Sequence, residues 1–219
     1  IPITVLFIVL RAQIVRTIYG AGKFDWADTR LTAATLAIFI VSAIGQSLIL
    51  LFVRAQYAEG RTLKPLTINI ISGLTMVILG YGLTKAFYAF PIFAFFLEDL
   101  LKVSGQMGTS ILVLPMAFTI GIMINTVLHW WVFEKKYNGF SKYVMPTLFQ
   151  TFSASVIMGY TTFLSLRFFN IFFPLTKAWN VFFQGFFAGM VGIIVGIIVL
   201  IILKNREIRE VWQTLHHKF

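Results

Sequence analysis

The side chains able to do chemistry are few, and most lie within long apolar runs. Arg11 falls nine residues into the run that opens at Pro2, about 13 Å along a helix, with Gln13 and Arg16 close by. A cation at that depth in a bilayer costs ~2.5 kcal/mol or more, so it should face protein or water rather than lipid. There it would attract an anionic group such as a pyrophosphate. The plainer reading has Arg11 and Arg16 snorkelling to an interface or bonding backbone carbonyls. Gly121, Asn125 and His129, spaced four apart, share one face of a helix. Polar groups on such a stripe bond a neighbouring helix or line a cavity. Asn69 with Ser72, and Gln46 with Ser47, read the same way. Gly185, Gly189, Gly192 and Gly196 form a doubled small-residue repeat that lets another backbone approach closely. Gln150, Ser153 and Tyr160 give a milder polar stripe on the preceding run.

Other chemistries lack their residues. No Asp or Glu sits within an apolar run, so a carboxylate proton relay has no candidate. There is no cysteine, and His occurs only at 129, 216 and 217, which leaves neither a thiol nucleophile nor a metal-ligand set. No phosphate-binding GxxxxGK[ST] loop is present. The pair His216–His217 is terminal and reads as solvated. The expectation is a protein without covalent chemistry, neither an enzyme nor a cofactor carrier.

The elements that must position these residues follow from composition. Of 219 residues, 58% are hydrophobic and 12% charged, with a mean hydropathy of +0.87. Soluble domains carry about 25% charged residues, and a spanning helix needs about 20 mostly apolar ones. Six segments read as transmembrane helices: 2–19, 31–53, 66–83, 110–133, 143–166 and 181–203. Continuous apolar runs without alternation exclude a barrel, so the fold class is an all-α polytopic membrane protein.

The net charge of +10 sits between the spans and reads as topology rather than nucleic-acid binding. One side carries Arg54, Arg61, Lys64, Lys135, Lys136, Lys142, Lys204, Arg206, Arg209 and Lys218. The other carries Lys23, Arg30, Lys85, Lys102, Arg167 and Lys177. That excess of ten over six puts the C-terminus in the cytoplasm. The stretch 87–103, with Phe90, Phe93, Phe96, Leu97 and Leu100, suits either an interfacial helix facing lipid or an extension of the third span. Residues 204–219 are expected to form an amphipathic tail on the cytoplasmic surface. The start at Ile1 inside a hydrophobic run suggests the C-terminal portion of a longer protein.

Two junctions resemble a known family. Ile18-Tyr19-Gly20-Ala21-Gly22-Lys23-Phe24-Asp25, followed by Asp28-Thr29-Arg30-Leu31-Thr32-Ala33, is similar to the stretch after the ninth helix of MurJ lipid II flippases. Arg54, Ala55, Tyr57, Ala58, Gly60, Thr62 and Pro65 match the family's loop between helices ten and eleven without a gap. Gln56 stands where the family has an aromatic, Arg61 where it has Asp, and Leu63-Lys64 where it has Lys-Thr. Asn125 falls where the family often has an Asn in helix twelve.

The resemblance implies helices nine to fourteen of a fourteen-helix transporter of the MATE-like flippase superfamily. Residues 1–133 would be the C-terminal half of the second lobe, 134–203 two added helices forming a hydrophobic groove, and 204–219 the tail. It further implies alternating access for lipid II, the undecaprenyl-linked peptidoglycan precursor, in the bacterial cytoplasmic membrane during cell-wall biosynthesis. Membrane lipids and cell-wall synthesis proteins would be its partners, with no nucleic acid and no metal. The family's main cavity arginines belong to helices one, two and eight, so Arg11, Gln13, Arg16 and Asn125 are cavity candidates on burial logic alone. Competing readings are an exporter of another polyprenyl-linked oligosaccharide, a membrane enzyme acting at His129, and a non-transporting scaffold.

Overall fold

The computed structural model describes residues 1–20, 24–172 and 178–205. The tail beyond Asn205, the His216–His217 pair, and Lys23, Lys177, Arg206, Arg209 and Lys218 of the charge count lie outside the described residues. All regular structure among those residues is helical: α1 (Pro2–Tyr19), α2 (Trp26–Ala58), α3 (Leu63–Ala89), α4 (Pro91–Leu101), a 3-10 turn (Thr109–Leu112), α5 (Val113–Lys136), α6 (Phe140–Phe169) and α7 (Ala178–Ile202). The protein is an all-α polytopic membrane protein. Each of the six expected spans is a helix. Five of them are long and apolar enough to cross a bilayer: α1, α2, α3, α5 with its preceding 3-10 turn, and α7. α6 has 30 residues, but its many Ser and Thr side chains keep it less apolar than the rest.

The chain divides into two compact units, one of Ile1–Ala21 with Gly139–Phe219 and one of Gly22–Asn138. In the first, α1, α6 and α7 pack mutually. α6 turns inward Ala154, Ser155, Met158, Gly159, Thr162 and Leu166. The stripe expected to pack, Gln150, Ser153 and Tyr160, does not form this face: Ser153 is exposed and Tyr160 is 63% exposed. Gln150 instead receives Asn205 Nδ2 at 3.0 Å and clips the end of α7. Near the opposite end of α6, Gln184 of α7 donates to the Leu166 carbonyl at 3.0 Å, which also accepts the Asn170 N–H at 3.1 Å.

In the second unit α2 and α3 both lie against α5. α2 starts with a reciprocal cap. Asp28 N–H donates to Asp25 Oδ1 at 2.8 Å, and Asp25 N–H donates to Asp28 Oδ2 at 3.1 Å. Its 33 residues extend about 50 Å, well beyond a ~30 Å hydrocarbon core. It ends in a Schellman turn, with Arg61 N–H on Gln56 O and Gly60 N–H on Tyr57 O, both at 2.9 Å. Gly60 holds φ +73 there, a left-handed value that costs a side-chain-bearing residue.

Within the stretch 87–103, α3 runs on through Ala89 and a separate helix, α4, then follows. Pro91 begins α4 after an extended Phe90, as its fixed φ favours. Leu97 was expected to face lipid but is 5% exposed. It joins Ala34, Phe87, Leu101, Val103, Leu112 and Val113 in the unit's core, with Phe93 packed against them. Phe90, Ile92, Phe95, Phe96 and Leu100 are the exposed set.

Candidate functional site

Within the unit of α1, α6 and α7, Arg11 and Gln13 point about 160° apart around the helix, because two residues advance it by 200°. Arg11 shares its side of α1 with Thr4 and Val15, both buried. It is half-buried and has no hydrogen-bond or ion-pair partner among the described residues. Gln13 faces α7, where a Cβ at Gly185 would lie 3.0 Å from Gln13 Cβ. Its Oε1 is buried with no partner among the described residues. Arg16 is half-buried near the end of α1, and its carbonyl accepts the Gly20 N–H at 2.9 Å. Arg11 and Gln13 therefore serve two sides of one helix and form no joint site.

The four glycines of α7 meet two different helices. Gly185 and Gly189 admit Gln13 and Leu10 of α1, while Gly192 and Gly196 admit Thr162 and Met158 of α6. Gly192 is the tightest, since a Cβ there would stand 1.9 Å from Thr162 Oγ1. At the Gly196–Met158 contact and beyond it runs an apolar cleft of about 230 Å³, lined from all three helices by residues that include Pro2, Leu6, Ala154, Ile193, Ile197 and Leu200. A second cleft, of about 270 Å³, opens beside Leu10, Gln13 and Gly185 under Phe182 and Phe186. Both offer almost entirely hydrocarbon and aromatic surface, which suits a lipid chain better than a polar solute.

The second unit holds a polar column along α5. Gly121 admits Met76 of α3, and Asn125 Nδ2 donates to Asn69 Oδ1 at 3.0 Å. One turn on, Gln56 Nε2 of α2 meets His129 Nδ1 at 2.9 Å in a hydrogen bond. His129 is fully buried and stacks on Phe52 at 6.2 Å. Thr119 Oγ1 adds a bond to the Ile38 carbonyl at 2.9 Å. Four buried atoms in or beside this column lack a partner among the described residues: Gln56 Oε1, Ser72 Oγ, Asn125 Oδ1 and His129 Nε2. Each such atom carries a desolvation cost of about 1–3 kcal/mol, so the column is a polar strip held inside apolar helices. The pairing of Gln56 with His129 went unread in the sequence. Its only signal was Gln56 occupying an aromatic's place.

The loop matched to the family spans the end of α2 and the start of α3. Arg54, Tyr57 and Ala58 are exposed on α2, Ala55 is half-buried, Gly60 forms the turn, Thr62 precedes α3 and Pro65 is buried in its first turn. Glu59, at the close of α2, accepts from Lys136 and from the Tyr137 hydroxyl and lies 3.8 Å from Arg61. The hydrogen bond from Lys136, then that from Tyr137, holds its carboxyl below the usual glutamate range. Among the described residues no three His, Cys, Asp or Glu side chains gather as metal ligands. The arrangement holds, packs and solvates; it offers groups for recognition.

Comparison with known proteins adds one match. No curated protein and no solved structure matches the chain. Residues 1–92, which carry α1, α2, α3 and both junction sequences, match the family model described as lipid II flippase MurJ, and over that stretch the chain is similar to that family.

Proposed function

We propose that the chain is the C-terminal part, helices nine to fourteen, of a fourteen-helix transporter that flips lipid II across the bacterial cytoplasmic membrane by alternating access. The observation that carries this reading is the family match over residues 1–92. In this reading residues 1–133 belong to the second lobe. Residues 134–203 supply the added pair whose apolar cleft against α1 takes a stretch of prenyl chain. Arg11, with no partner among the described residues, faces the aqueous pathway and attracts the pyrophosphate as it crosses. No bond is made or broken, so the protein acts as a transporter and takes no cofactor. Its C-terminus is cytoplasmic, and cell-wall synthesis proteins are its neighbours.

The test is complementation. The full-length protein is expressed in cells depleted of their own lipid II flippase. Restored growth and shape at matched expression support the reading. Lysis with the protein correctly inserted, or rescue only of a strain lacking a different oligosaccharide exporter, overturns it.

A further inference from the structure

The beginning of α3 and the end of α5 enclose a cleft of about 600 Å³, larger than either cleft of the other unit. Its lining is ordered along the helix axes. On α3, Lys64 stands at the mouth and Ile68 one turn deeper; on α5, Lys135 and Lys136 stand at the mouth, with Trp131 and Val132 one turn deeper. Both walls thus run from cation to hydrocarbon in the same direction. Arg61 adds a fourth positive charge, and the nearby Glu59 carboxylate pairs with Lys136 and, at 3.8 Å, with Arg61. Lys135 Nζ rests over Trp131, 5.4 Å from the ring centre, and Lys64 has no partner among the described residues. The first turn of α3 has no acidic residue, and Thr62 does not cap it with its side chain. The Leu63 and Lys64 N–H groups, the two that this turn offers before Pro65, are therefore open to an anion at the same mouth.

We infer that this cleft binds one anionic phospholipid, phosphate at the mouth among Lys64, Lys135 and the α3 amides, acyl chain along Ile68, Val132 and Trp131. A free phosphate would leave the apolar floor uncovered, and a zwitterionic lipid would bring a second cation into a site already rich in them. The inference does not depend on the transport reading.

The test is native mass spectrometry of the full chain released from detergent micelles containing phosphatidylglycerol, phosphatidylcholine or undecaprenyl diphosphate. A single retained phosphatidylglycerol, favoured over phosphatidylcholine by roughly tenfold, is expected, given the attraction of each basic residue for anionic lipid. Lys64→Gln with Lys135→Gln should remove most of that preference. Lys85→Gln with Lys142→Gln, equally lowered in charge, should keep it. Both pairs replace surface side chains, and unchanged helical circular dichroism verifies folding. Equal retention of the two phospholipids, equal loss in both variant pairs, or displacement of phosphatidylglycerol by equimolar undecaprenyl diphosphate would each overturn the assignment.

Discussion

Gly192→Ala is the sharpest probe of how α7 is seated. The added methyl would stand 1.9 Å from Thr162 Oγ1, 3.2 Å from its Cβ and 3.4 Å from the Met158 carbonyl. Thr162 cannot simply swing away, because its hydroxyl donates to that same carbonyl at 2.8 Å in a fully buried position. Overpacking of this kind costs about 1–3 kcal/mol, while Gly to Ala inside a helix returns up to ~1 kcal/mol. A net loss of about 1–2 kcal/mol is expected. Gly189→Ala is the internal control: its methyl would meet only Leu10 Cδ1 at 3.2 Å, the far end of a flexible side chain. There the propensity gain should cancel the contact. Thermal unfolding in detergent reads both, with Gly192→Ala several degrees lower and Gly189→Ala near the parent. Thr162→Ala should rescue Gly192→Ala by vacating the contested space, giving a coupling of about 1 kcal/mol in a double-mutant cycle. Unchanged stability in Gly192→Ala, or no coupling with Thr162→Ala, would refute the seating of α7 on α6.

Other outcomes are open to direct measurement. Gln56→Ala should lower stability by about 1–3 kcal/mol through the stranded His129 Nδ1, and Gln56→Leu with His129→Leu should recover part of it, as unfolding in detergent would record. Because Glu59 titrates below its ordinary value of 4.5, its ion pair stabilises the fold above that pH, and the contribution fades as pH falls through the lowered value; Glu59→Gln should flatten that acid limb in a stability-versus-pH series. A reporter fused after Phe219 should read cytoplasmic, from the excess of basic residues on that side. In the full-length protein, Arg11→Ala should slow transport while Arg11→Lys keeps part of it, since Lys retains the charge but loses the planar fork; equal complementation by Ala and Gln variants would remove Arg11 from the path.

Helices were legible because apolar runs bounded by Gly, Pro and charge have few other solutions in a bilayer, and the cap at Asp25 and Asp28 is written in its spacing. Side-chain orientation was less legible, for particular reasons. Ser155 and Thr162 give their hydroxyls to carbonyls one turn back, Thr151 and Met158. Their polarity is thus absorbed locally, and a stripe of polar residues on α6 need not mark its packing face. The glycines of α7 announced a close approach, but spacing describes one helix only and could not divide the four between α1 and α6. Leu97 was misplaced because the acidic pair of α4 does not mark a purely outward side: Glu98, next to Leu97, is half-buried and accepts from the Thr109 hydroxyl. Gln56 and His129 are 73 residues apart, so no local pattern joins them.

The proposed function has lipid II crossing the membrane through the protein to which this chain belongs. It is tested most directly by making the full-length protein the sole flippase in a cell and adding a lipid II-cleaving enzyme from outside. The headgroup should be released in proportion to the amount of protein, and release should stop when the protein is depleted. Lipid II that stays protected on the cytoplasmic side while the protein is inserted and abundant would contradict it.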